Sequence, residues 1–300
     1  MSAAGGDALS RAPVGSPTIG VQAMMLREQV REQGAFPVWK RLADLGFRSV
    51  EVSQIPLTPD TVRDIRRGVD ELGIRVAAMS ARMGPAGGPN DSLIEQFDKV
   101  VADSRALSTD MIRIGMMPME ALESLDALLA FSRATEEKAR ALADEGIGLC
   151  YHNHHIEFAR IEGRHLLEII RTEAPSLRFE LDVHWIHRGG MDPVRVLADY
   201  AGVVDLVHLK DYRVSIPPAE AFAALSAGDR ARWNEHWSTI VQFAEVGAGN
   251  LDFTAIIDQA LASGAQHLLI EQDELYGRDI FDCLADSRDR LVAFGYASLL

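Results

Sequence analysis

Eight short apolar runs, each followed by a longer stretch of helical period, set the strongest constraint on how this chain folds. The runs are IGVQAMM (19–25), SVEV (49–52), IRVAAMS (74–80), MIRIGM (111–116), IGLCYHN (147–153), LRFELDV (177–183), VDLVHLK (204–210) and HLLIEQ (267–272). Amphipathic segments lie between them, such as residues 93–107, with Leu93, Phe97, Val100 and Leu107 on one stripe, and the long residues 121–145. Several of these segments end in one punctuation: LGF at 45–47, LGI at 72–74, EGI at 145–147 and SGA at 263–265. A glycine there takes the left-handed conformation that stops a helix, and the next residue opens a strand. Eight strand–helix units joined by right-handed crossovers close most simply into an α/β fold, a parallel (β/α)8 barrel, typically of about 250 residues. A doubly wound open sheet is the competing layout.

Residues 1–17, rich in Gly, Ala, Ser and Pro and without apolar periodicity, read as a flexible leader, so the barrel domain is expected over 18–300. Residues 213–246 interrupt the rhythm after the seventh strand. They are too many for a bare loop and are expected to carry one or two short helices, as a lid over the barrel mouth or as a dimer contact. With 47% hydrophobic and 25% charged residues the composition is that of a folded globular protein. Forty-four acidic against thirty basic residues give a net charge of −14, which repels phosphate backbones and anionic lipid and argues against nucleic acid or a membrane as partner. No run approaches the roughly 18 apolar residues of a membrane span and the N-terminus lacks an export pattern, so a cytoplasmic location is expected. Cys150 and Cys283, far apart in apolar surroundings, read as reduced core thiols.

In a barrel of this kind chemistry collects at the C-terminal strand ends. There the second strand offers Glu51, the third Arg82, the fourth Arg113, and the fifth His152, Asn153 and His154 with Glu157 just beyond. The sixth offers Asp182, His184 and Trp185, the seventh His208, Lys210 and Asp211, and the eighth Glu271 and Asp273. A single buried ionisable group is often only a paired structural residue. Seven strands ending this way call for a counter-ion, because burying unpaired charge costs several kcal/mol. Imidazole plus carboxylate ligands suit manganese, zinc, cobalt or iron better than calcium, and the missing sulfur ligands disfavour a structural zinc. A mixed site with open positions can grip a carbonyl and a neighbouring hydroxyl and stabilise an enediolate, the equipment of sugar isomerisation and epimerisation.

YHNHHIEF (151–158), ELDVHWIHRGG (180–190), HLKDY (208–212), FAEVGAGNLDF (243–253) and IEQDELYGRD (270–279) resemble the sugar phosphate isomerase/epimerase family with its xylose isomerase-like TIM barrel, and IGVQAMMLRE (19–28) is similar to that family's first strand. The resemblance runs over nearly the whole chain from Ile19. It implies one divalent metal held by a strand-five ligand together with Asp182, His208 and Glu271, and a small sugar, keto-sugar or sugar derivative as substrate. Many relatives carry a Glu where this chain has His152, so the fifth-strand ligand is His152 or Glu157, with alternation favouring His152. His184 stands one place before the histidine common in relatives, and Trp185 takes that place as an apolar wall for the sugar.

The mechanism implied is removal of a proton α to a carbonyl by Glu157 or His154 and its return with help from Glu271 or Lys210. The same intermediate can expel a leaving group, which makes a dehydratase or a 3-keto-glycoside lyase the alternative. Glu51, Arg82, Arg113, His184, Trp185 and Asp273 make up the substrate-binding set. Arg82 and Arg113 together suit a carboxylate or phosphate, or else bridge acidic loops. Trp233, His236 and Trp237 either roof the site or pack the insertion. The acidic charge disfavours the nucleic-acid repair branch of the superfamily, represented by endonuclease IV. A homodimer is compatible with all of this, barrels of this type often pairing.

Overall fold

The computed structural model describes residues 16–300; the leader expected over 1–17 lies, up to residue 15, outside the described residues. Eight strands form one parallel ring: β1 (Thr18–Gln22), β2 (Ser49–Val52), β3 (Arg75–Arg82), β4 (Met111–Ile114), β5 (Gly148–His152), β6 (Arg178–Asp182), β7 (Val204–Leu209) and β8 (His267–Ile270). β1 pairs with both β8 (Thr18 opposite His267) and β2 (Val21 opposite Val50), and β2 with β3. The ring is therefore closed, and the open sheet does not form. All eight apolar runs are strands. The first ends at Gln22, three residues short of its run, because the Gln22 side chain accepts from the Met24 N–H and turns the chain into a short 3₁₀ helix.

The helix Pro59–Leu72 shows how sequence punctuation becomes packing. Thr58 caps it by accepting from the Thr61 N–H, Pro59 fills the first turn, and Gly73 at φ +67° ends it. It packs on the helix Ala35–Asp44, where Trp39 is fully buried. A Cβ on Gly68 would lie 2.8 Å from the Trp39 ring, so the close approach of the two helices requires glycine there.

Side chains alternate across each barrel strand, and the inward ones stack in layers. The lowest layer holds the Arg178–Asp205 ion pair and His267, whose Nδ1 lies 2.8 Å from the Thr18 hydroxyl. The middle layer is small and apolar, with Ala78, Met111, Cys150, Leu206 and Leu269 packed together. The upper layer, at the C-terminal strand ends, is polar. Both cysteines are free and buried.

The insertion after β7 holds two helices, Ala219–Ser226 and Arg230–Ser238, on an antiparallel hairpin of Asp211–Val214 with Val241–Ala244. The hairpin was not apparent from the sequence, because its base depends on a contact remote along the chain. The buried Asp211 carboxylate accepts from the N–H groups of Tyr212, Gly247, Gly249 and Leu251. A Cβ on Gly249 would meet the Tyr212 carbonyl oxygen at 2.2 Å. Trp233 packs on Phe222 and stacks on Trp237, so these aromatics join the two insertion helices. Among the described residues no helix is long and apolar enough to cross a membrane.

Candidate active site

Four strand ends converge at the barrel mouth. His152 ends β5, Asp182 ends β6, His208 sits one residue inside the end of β7, and Glu271 follows β8; one ligand atom from each lies within 4.8 Å of all the others, and all four residues are buried. Asp182 is also the cap of the helix Val183–Arg188. Its Oδ1 accepts from the Trp185 N–H at 3.0 Å, whereas its Oδ2 is buried and has no hydrogen-bond partner among the described residues. The Asn153 side-chain oxygen Oδ1 accepts from the Asp182 N–H at 3.0 Å and so ties the ends of β5 and β6 together.

Around this group lies a dense set of charges. Lys210, two residues beyond His208, points its Nζ to Glu271 Oε2 at 3.1 Å and to Asp273 Oδ2 at 2.7 Å. Burial works against its charge, but Glu271, Asp182 and Asp273 outweigh it and hold the ammonium above its ordinary value. Burial pushes Asp182 up. Glu271 is held well below the carboxylate range, Lys210 and His208 overcoming its burial. His152 is driven well below the histidine value by burial and by the cations of Arg113 and His208. His154 falls to about 4 and His184 to about 3, again by burial first and then by neighbouring positive charge. Both imidazoles are neutral near pH 7. Among the described residues the buried Nδ1 of each has no hydrogen-bond partner, nor has the Trp185 Nε1.

Other residues of the sequence reading fall elsewhere. Glu157 sits behind β5, with Oε1 accepting from the Tyr151 hydroxyl at 2.6 Å and Oε2 from the His154 N–H at 2.8 Å. Both of its oxygens are engaged, and of the two residues open for the fifth strand it is His152 that joins the converging group. Arg113 and Arg82 do not form a shared anion clamp. Arg113 is buried with its Nε between Glu51 and Glu180 and its Nη1 near the hydroxyls of Ser53 and Ser80, because closure of the ring puts β2, β4 and β6 face to face. Arg82 is half-buried at the end of β3 beside Gly84 and Gly88, without an ion pair among the described residues. Glu51 is fully buried, 2.8 Å from His208 Nε2. Its carboxyl is pushed up to about 7 by burial.

Trp185 and His184 form an aromatic wall with Phe243 and Tyr212 of the insertion hairpin, and the Lys210 ammonium lies 4.9 Å from the Trp185 ring centre. Two members of the upper layer were missed from sequence. Glu180 lies two residues before Asp182 on the same strand face, a signal that alternation supplied. Gln22, which donates to Glu271 Oε1 at 3.1 Å, carries no charge and stood out only by its place on β1.

The fold is similar to that of a sugar phosphate isomerase/epimerase from Parabacteroides distasonis (20% identity, TM-score 0.69), covering 97% of this chain and 98% of that one. It is also similar to an L-ribulose 3-epimerase (14% identity, 94% and 95% covered, TM-score 0.65). A third likeness is to the probable 3-DHS dehydratase involved in petrobactin synthesis from Bacillus anthracis (14% identity, 92% and 98% covered, TM-score 0.65). At these identities the likeness speaks for the fold. We found no curated protein matching the sequence. The family model described as Xylose isomerase-like TIM barrel matches residues 39–281, and by that match the chain belongs to the xylose isomerase-like TIM barrel family.

Proposed function

We propose that the protein is a divalent-metal-dependent isomerase or epimerase acting on a small sugar, keto-sugar or sugar derivative. The observation that carries this reading is the convergence of His152, Asp182, His208 and Glu271, with Asp182 Oδ2 buried and, among the described residues, without a hydrogen bond, its nearest cations being 3.8 Å away. Two imidazoles and two carboxylates fit a borderline or hard transition metal, Mn, Zn, Co or Fe, better than calcium. These four residues would hold the ion, which when bound supplies a Lewis acid that acidifies the C–H next to a substrate carbonyl.

The protein's own groups then move the proton. His154 is neutral near pH 7, its ring lies 4.9 Å from that of His152, and its Nδ1 is unpartnered, which suits it to accept the proton and leave an enediolate. Glu157 holds His154 from behind through the backbone rather than taking the proton itself. Lys210 stays an ammonium and can steady an oxygen or return a proton at a second carbon. Trp185 and His184 wall the ring of the substrate, and Arg82, without an acidic partner among the described residues, would meet an anionic substituent.

The test is incubation of the manganese-loaded protein with a panel of 2-keto and 3-keto sugars in deuterated water. Deuterium incorporation into a product of otherwise unchanged composition is expected, and it should disappear in His154→Ala. A product that has lost water or an aglycone would replace this reading by the lyase one.

A further inference from the structure

Two groups of ligand atoms share a single imidazole. One is His152, Asp182, His208 and Glu271; the other is Glu51, Glu180 and His208. They lie on opposite sides of the His208 ring. Nδ1 is 2.9 Å from Glu271 Oε2 and 3.8 Å from Asp182 Oδ2, whereas Nε2 is 2.8 Å from Glu51 Oε2 and 3.1 Å from Glu180 Oε1. A neutral imidazole has one lone pair and one N–H, so a cation on one nitrogen places the proton on the other.

The surroundings decide which side takes which. On the Nε2 side a positive charge is already built in. The buried Arg113 lies 3.2 Å from Glu51 Oε1 and bonds Glu180, and a dication there would stand against a guanidinium. On the Nδ1 side the Lys210 ammonium is also near, 3.1 Å from Glu271 Oε2 and 3.8 Å from Asp182 Oδ2, but its shortest contact, 2.7 Å, is to Asp273 outside the group, and Asp182 Oδ2 has no hydrogen bond among the described residues. We propose that Glu51 is a positioning residue: it accepts the Nε2–H of His208, fixes the ring and its tautomer so that Nδ1 presents the lone pair, and is held by Arg113, while the group of Glu51, Glu180 and His208 binds no second ion. This rests on the metal reading given above. Carboxylates that orient ligating histidines in this way are typically worth about 10- to 100-fold in metal affinity.

Zinc titration with elemental analysis should find one equivalent per wild-type chain. Glu51→Ala is expected to bind it about 10- to 100-fold more weakly, whereas Glu51→Gln, which keeps an acceptor oxygen for the ring N–H, should retain most of the affinity. Nitrogen-15 ring spectra of the zinc-loaded wild type should show His208 coordinated through Nδ1 and protonated at Nε2. Wild-type affinity in a folded Glu51→Ala would overturn the role of Glu51 alone. Two equivalents in the wild type, or zinc on Nε2, would overturn the division of the ring. No uptake by the wild type would remove the metal reading and this proposal together. Should Glu51→Ala fail to fold, the Gln variant and the ring spectrum decide: weak binding by Gln, or a proton on Nδ1, overturns the proposal.

Discussion

The two ends of the barrel interior treat charge in opposite ways. At the lower end one arginine meets one aspartate: Arg178 Nε and Nη2 bond the two oxygens of Asp205 at 2.7 and 2.5 Å, and the small apolar layer above them carries no charge. At the upper end Glu51, Glu180, Asp182, Glu271 and Asp273 face Arg113, Lys210 and the His208 imidazole, which Glu180, Glu271 and Glu51 hold well above its ordinary value despite burial. In the lower pair each charge meets an opposite one through two hydrogen bonds. The upper set has more carboxylates than cations and leaves Asp182 Oδ2 unbonded, an arrangement that costs several kcal/mol unless something positive completes it. Local excess of buried negative charge, rather than burial of charge as such, is what separates a candidate site from a structural ion pair.

Breaking the upper end at the residue whose oxygen lacks a hydrogen bond should have the largest effect. In Asp182→Ala, bound metal should fall from one equivalent to none and activity to background. The stabilisation of about 2.7 kcal/mol that metal at 100 times its Kd would give the wild type should vanish from thermal melts. Unchanged metal content by elemental analysis would break the comparison. Arg113→Met should come next, because it leaves Glu51 and Glu180 adjacent and buried without their shared cation. A loss of about 3–5 kcal/mol in urea unfolding is expected. At the lower end Arg178→Met should cost less, about 1.5–3 kcal/mol by the same measurement, since only one partner is stranded and the arginine is about one-third exposed. A lower-end loss equal to that of Arg113→Met would mean that the two layers are energetically alike.

Acid should sharpen the contrast. His154 and His184 have folded values of about 4 and 3, below the roughly 6.5 of an unfolded chain. The unfolded state therefore binds more protons in this window, and the stability these residues contribute is present above about pH 6.5 and lost as pH falls toward 4. The double variant His154→Gln/His184→Gln should show a flatter stability profile from pH 6.5 to 4 than the wild type; an equally steep one would contradict the assignment. The smallest effect is expected for Glu157→Gln, which keeps acceptor contacts to Tyr151 or the His154 N–H. It should change stability by about 1 kcal/mol and turnover by only a few-fold. A loss of turnover by several orders of magnitude would instead make Glu157 the proton-transfer group.

Much of this was legible along the chain. The period-two runs mark the strands, and counting two residues at a time places Asp182, His208 with Lys210, and Glu271 on one side of β6, β7 and β8. Alternation also favoured His152 by putting it on the face of His154, but it left Glu157 open, because Glu157 lies beyond the strand in a short 3₁₀ turn and its place against Tyr151 is set by the fold. What could not be read was partnership. Arg113 stood open between binding a substrate anion and bridging acidic loops, because its sequence neighbours, Ile112 and Ile114, name no partner. Its carboxylates come from residues 62 positions before it and 67 after it, joined only when the ring closes. Gln22 and Glu271 lie 249 residues apart and meet only because β1 pairs with β8.

The sequence by itself determined which residues line the inside of the barrel, since side-chain alternation and strand order are local properties of the backbone. Only the tertiary structure decided which of those charges neutralise one another. Coulomb attraction and the cost of desolvation depend on separation in space and on access of water, and neither exists for a buried carboxylate until distant strands have closed around it.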